Sequence, residues 1–127
     1  MTITTHYLET GSQNPFYNLA FEEYVLRNRR EGDYLMLWQN DNTIVIGQNQ
    51  NAEAEINRSF VESHGISVVR RMTGGRAVYH DLGNLNYSFI TAAGDSAPLT
   101  MAPFTRLVVE ALWRLGRHED DPSRQDA

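Results

Sequence analysis

The residues best suited to chemistry lie together between Arg70 and Asp81, in the run Arg-Arg-Met-Thr-Gly-Gly-Arg-Ala-Val-Tyr-His-Asp. Gly74 and Gly75 let the backbone come close to a ligand and aim N–H groups at it. Arg70, Arg71 and Arg76 add delocalised positive charge that suits a carboxylate or a phosphate. The pattern fits an anion cradle between two strands. It also fits a hairpin turn flanked by solvated arginines, and these residues alone leave the two readings open. His80 beside Asp81 invites a base-and-orienter reading, but neighbours on a strand point to opposite faces. His80 is therefore read as a cavity wall or hydrogen-bond donor in preference to a base. Glu22 and Glu23 resemble paired carboxylates, yet adjacent helix residues do not face each other, and one is expected to be solvated. Trp38 and Tyr34 are expected in the core. His118-Glu119-Asp120-Asp121 reads as a solvated tail, and no metal site is assigned.

Composition narrows the chemistry. The 127 residues contain no cysteine, and all eleven basic residues are arginine. Disulfides, thiolate metal sites, a cysteine nucleophile, a Schiff base and a phosphate-binding lysine are therefore absent from this chain. A net charge of −5 argues against a nucleic-acid backbone as partner. The length suits one domain with an ordinary core. No apolar run approaches the roughly 20 residues of a membrane-spanning helix. The N-terminus lacks a signal-peptide pattern, so a cytoplasmic protein with no membrane partner is expected.

The elements that must position these residues follow from periodicity. Thr2 to Glu9 alternates as a first strand, and Gly11 to Pro15 reads as a turn. Helical spacing from Phe16 to Arg30 begins behind Asn14 and Pro15, a cap and first turn. Tyr34–Gln39 and Thr43–Ile46 are expected to pair as a hairpin across Asn40-Asp41-Asn42. Arg58–His64 reads as a short helix stopped by Gly65. Ile66–Arg71, Ala77–Tyr79 and Asn84–Thr91 read as strands, with a loop at Gly94–Pro98. Met101–Leu115 is amphipathic, with Phe104, Val108, Ala111, Leu112 and Leu115 on its apolar side. The expected class is α+β: a mixed, mostly antiparallel sheet with helices on one face.

Arg70 to Ile90 closely resembles the signature of the lipoate–protein ligase A family, an Arg-Arg-x-x-Gly-Gly-Gly-x-Val-x-His-Asp-x-Gly-Asn loop and strand. Asn14 to Leu26 resembles the first helix of that family, with its Asn-Leu-Ala-x-Glu-Glu pattern. Thr43 to Asn51 resembles the strand and Gly-x-x-Gln-Asn turn that line its ligand pocket. The resemblance spans Tyr7 to Leu115 and implies a truncated fold of the class II synthetase and biotin–lipoate ligase type. It implies that lipoate and ATP, with Mg²⁺, give lipoyl-adenylate. The lipoyl group then passes to a lysine of an acceptor domain, in 2-oxoacid dehydrogenase E2 subunits or the glycine cleavage H protein. By position, Arg70, Thr73, Gly74, Gly75 and His80 would line the acyl or acyl-adenylate pocket, with Gly47, Asn51 and Asn84 in second rank. Arg71, Arg76, Ala77, Val78 and Tyr79 would hold the nucleotide.

Three features depart from the family pattern. Arg76 stands where the ligases usually carry a third glycine, as in related octanoyl and lipoyl transferases, which are the alternative within the superfamily. The family's adenylation lysine has no counterpart here, so no catalytic residue is assigned; arginine presents its charge differently from a compact ammonium. The length matches only the N-terminal part of the catalytic domain, residues 1–115, so an edge and an apolar face should lie uncovered. Residues 116–127 form a polar tail. Read one base out of register, the codons allowed for Arg117–Pro122 can spell Val-Thr-Lys-Thr-Thr-Leu, so the tail is expected to be out of frame. The other reading is a short, non-catalytic binding module completed by a separate chain.

Overall fold

The computed structural model describes residues 4–28, 31–92 and 102–116. The start of the expected first strand, the end of the expected helix at Arg29 and Arg30, the loop at 94–98 and the tail from Arg117 lie outside the described residues. The elements are β1 (Thr5–Glu9), α1 (Pro15–Asn28), β2 (Asp33–Trp38), β3 (Thr43–Ile46), α2 (Ala52–Glu55), α3 (Arg58–Ser63), β4 (Ser67–Arg70), β5 (Val78–His80), β6 (Asn86–Ile90) and α4 (Ala102–Arg114). The chain divides into two compact units, residues 1–92 and 93–127.

The first unit is α+β, as expected, but its strands form two three-stranded sheets, in the orders β1-β2-β6 and β4-β3-β5. Each sheet has one parallel and one antiparallel pairing, so the balance is even where a mostly antiparallel sheet was expected. The expected hairpin between β2 and β3 does not form. Both edges of β2 are taken by β1 and β6, and both edges of β3 by β4 and β5. The intervening Asn40-Asp41-Asn42 hands the chain from one sheet to the other. Asn42 takes a positive φ of 47°, a conformation asparagine tolerates.

Helix α1 starts where Asn14 Oδ1 accepts the N–H groups of Phe16 (2.9 Å) and Tyr17 (3.2 Å), with Pro15 in the first turn. It packs against β6 of one sheet and β4 of the other. Val25 of α1 joins Tyr34 and Ile90 in a buried cluster, flanked by Leu8 and Phe21. Strand β2 alternates cleanly, burying Tyr34, Met36 and Trp38. Exposed apolar side chains include Tyr79, Leu82, Leu85 and Tyr87. In the second unit, α4 matches the expected amphipathic helix, with an Arg114–Glu110 ion pair of 2.9 Å along it and none of its residues buried.

The polar centre of the first unit is Asn18, fully buried on α1. Its Nδ2 donates to the carbonyls of Ser12 (2.9 Å) and Gln39 (2.8 Å) and to Asn40 Oδ1 (2.9 Å), while its Oδ1 accepts the Thr10 hydroxyl (2.6 Å). Replacing it strands several buried polar atoms at once. Asn18→Ala should therefore cost roughly 2–4 kcal/mol. A urea midpoint unchanged from the parent chain would contradict this.

Candidate functional site

The site is assembled from two loops that lock into each other. The turn after β3 begins at Gly47, and the loop after β4 runs through Met72 to Ala77. Gln48 N–H donates to Thr73 O (2.9 Å) and Arg71 N–H to Ile46 O (3.0 Å). Gly47 is buried, and a Cβ there would fall 2.2 Å from Gly75 O, so only glycine allows this approach. Gly75 itself has a φ of 114°, which disfavours any side chain.

The two arginines hold these loops from within. Arg70 Nη1 donates to the carbonyls of Gly47 (2.9 Å), Gln48 (3.1 Å) and Gln50 (2.6 Å). Arg71 donates through Nη1 to Val45 O (3.2 Å) and through Nη2 to Gly74 O (3.0 Å) and Arg76 O (2.8 Å). The carbonyls of the glycine loop thus turn toward Arg71. Among the described residues, the N–H groups of Gly74, Gly75 and Arg76 have no hydrogen-bond partner. Neither Arg70, Arg71 nor Arg76 forms an ion pair among those residues, so their charge is uncompensated by a carboxylate.

Beside this loop lies a cavity of about 240 Å³ reaching from α1 across both sheets. Leu19, Trp38, Val45 and Val78 give it apolar walls, and Arg71, Thr73 and His80 bring polar groups to it. Strand alternation puts Val78 and His80 on the cavity side. Tyr79 points away, its hydroxyl donating to Asn42 Oδ1 at 2.9 Å. Of the residues expected to line the acyl pocket, Thr73 and His80 are here. Arg70 instead lines a neighbouring cleft between α1 and β4, which shares Leu19, Glu22 and Arg71 with this cavity. Arg71 and Val78, expected near the nucleotide, join the cavity, while Gly74 and Arg76 lie in the exposed loop beside it. Asn51 caps α2, accepting the Glu53 N–H at 3.0 Å. Asn84 donates through Nδ2 to Asn86 Oδ1 at 3.1 Å. Asp81 accepts the Gly83 N–H at 2.8 Å and serves the turn, so it does not orient His80.

Val45 comes from the strand expected to line the pocket, whereas sequence reasoning did not place Leu19, Asn86, Tyr87 and Ser88 there; together they complete the lining. The two glutamates separate as helical spacing requires. Glu23 pairs with Arg27 at the surface (3.1 Å), and Glu22 accepts the Ser88 hydroxyl inside the cavity. Trp38 is buried, as expected, but also lines the cavity, donating from Nε1 to Ser88 Oγ at 3.0 Å.

His80 is 8% exposed and meets Trp38 edge to face at 6.3 Å. Burial holds its imidazole below the ordinary value near 6.5, and the Arg71 charge adds to the effect. The unfolded chain therefore takes up this proton first as pH falls. The stability contributed by neutral His80 is complete above about pH 6.5 and is lost as pH drops from there toward the folded-state value. Denaturant midpoints followed through this window should decline, and His80→Gln should flatten that part of the decline. The same decline in both chains would contradict the assignment. Gly47→Ala should cost about 1–3 kcal/mol by forcing Gly75 aside; a thermal midpoint equal to that of the parent chain would show that the loops do not interlock.

Residues 14–126 match the family described as lipoyl protein ligase A/B catalytic domain. Lipoate-protein ligase LplJ of Bacillus subtilis is 46% identical over 114 residues, covering 89% of this chain and 34% of that protein. Among solved structures, P. falciparum LipL1 in complex with lipoate superposes with a TM-score of 0.77 at 31% identity, over 86% of this chain and 35% of its own. A lipoate-protein ligase A bound with ATP gives 0.76 at 34%, over 91% and 48%. A bi-partite lipoate protein ligase from Thermoplasma acidophilum, described with its E2 lipoyl domain, gives 0.70 at 33%, over 88% and 43%. The chain spans about a third of the length of the curated relatives it matches. A family signature, a shared fold and a common arrangement of sequence meet in one conclusion: this chain belongs to the lipoyl protein ligase A/B catalytic-domain family and corresponds to a partial catalytic domain.

Proposed function

We propose that the cavity between the sheets takes the lipoyl group and that the glycine loop beside it takes the phosphate of lipoyl-adenylate. The observation that carries this reading is the convergence of Leu19, Trp38, Val45 and Val78 with Arg71, Thr73 and His80 around one space. An apolar acyl chain ending in a charged group needs such walls and such polar groups. The unpartnered N–H groups of Gly74, Gly75 and Arg76 supply donors for phosphate oxygens, and the nearby guanidinium of Arg71 adds charge.

In the complete reaction the lipoate carboxylate attacks the α-phosphorus of ATP and pyrophosphate leaves. A lysine amine of a lipoyl domain then takes the acyl group and releases AMP. Placement and fixed positive charge dominate chemistry of this kind. The acceptors in this reading are cytoplasmic lipoyl domains of 2-oxoacid dehydrogenase E2 subunits and the glycine cleavage H protein. Among the described residues no group of three or more His, Asp or Glu could hold a metal ion, and we assign no side chain to the Mg²⁺ that accompanies ATP.

These 127 residues contain no lysine. We expect them to bind the acyl-adenylate but to form it slowly, roughly 10²-fold or more below a full-length ligase. That absence favours a second reading, an acyl-adenylate-binding module whose lysine comes from a separate chain. Calorimetry with lipoyl-AMP, together with chromatographic detection of lipoyl-AMP made from lipoate and ATP, tests both. Binding without turnover is the expected result. Turnover near that of a full-length ligase would overturn the inactivity, and failure to bind lipoyl-AMP would overturn the site.

A further inference from the structure

Two chains of side-chain amides converge on one atom of His80. In the first, the Thr10 hydroxyl donates to Asn18 Oδ1, which leaves Asn18 Nδ2 facing two carbonyls and Asn40 Oδ1. With its oxygen so engaged, Asn40 turns its Nδ2 to His80 Nδ1 at 3.1 Å. In the second, Asn84 Nδ2 donates to Asn86 Oδ1, and Asn86 Nδ2 lies 3.5 Å from the same Nδ1. An amide NH₂ can only donate, so each chain requires Nδ1 to be an acceptor.

We infer that Asn18, Asn40 and Asn86 are positioning residues that hold His80 as the neutral Nε2–H tautomer, presenting the cavity with a hydrogen-bond donor and not a base. Among the described residues Nε2 has no partner, and His80 lines the cavity, so the acceptor for this buried N–H must come from a ligand or water. The charged groups around the same space are Arg71 and Glu22; Arg71 opposes protonation, and Glu22 is engaged by Ser88. What the donor meets rests on the lipoyl reading above; the tautomer does not.

The test is the ¹⁵N spectrum of the imidazole in the full 127-residue chain. The parent chain should show a protonated Nε2 and a bare Nδ1. Free imidazole side chains also favour that form, so the decisive comparison is Asn40→Asp. Its carboxylate still accepts from Asn18 but cannot donate to Nδ1, so the proton should move to Nδ1 and the apparent pKa should rise. Asn86→Asp should give a weaker change in the same direction, and it serves if Asn40→Asp does not fold. A parent chain carrying its proton on Nδ1, or a folded Asp variant whose tautomer is unchanged, overturns the inference. Affinity for lipoyl-AMP should fall about five- to tenfold in Asn40→Asp. An unchanged tautomer with intact lipoyl-AMP binding would sink the relay and spare the functional reading. A switched tautomer in a chain that never bound lipoyl-AMP would do the reverse.

Discussion

Much of the first unit depends on a single amide that has no contact with water. Asn18 stands on α1 and bonds to the loop before that helix, to the end of β2 and to the crossover between the two sheets. It gives the helix a fixed depth against both sheets, which apolar packing alone would leave free to slide. Buried polar groups that are fully paired specify one arrangement, because any shift leaves several of them unpaired together. Asn40 carries that constraint onward to His80, so the cavity wall and the helix are registered by the same small network.

The arginines show a second use of polar groups in the interior of a loop. An Arg-Arg pair beside two glycines suggests charge reaching outward to a ligand. In the folded chain most of the donors face inward, to carbonyls of the loops they support. The charge remains, because no carboxylate neutralises it among the described residues. Scaffold and electrostatics are served by the same side chains.

Local signals accounted for most elements, since helix caps, glycine stops and alternation are written in neighbouring residues. Asn14 before Pro15 marks the start of α1, and Gly65 follows the end of α3. The partition into two sheets was not legible, because Asn40-Asp41-Asn42 has the composition of a hairpin turn and nothing local reveals that both strands find other partners. The glycine loop, Thr73 and His80 were visible from their motif. Leu19 and Ser88 were not, because apolar and small residues reach a cavity only through the tertiary fold. Arg70 and Arg71 illustrate the limit of type-based reasoning: adjacent and chemically identical, both line the cleft between α1 and β4, but of the two only Arg71 also reaches the cavity beside the glycine loop.

If the glycine loop takes a phosphate as proposed, the close approach of Gly47 to Gly75 has a consequence for how it would do so. Each loop is the mould for the other, and both were ordered when the sheet formed. On the proposed reading, an arriving phosphate would meet donors whose conformational freedom has already been surrendered to folding. Its binding enthalpy need not be spent on freezing a flexible segment.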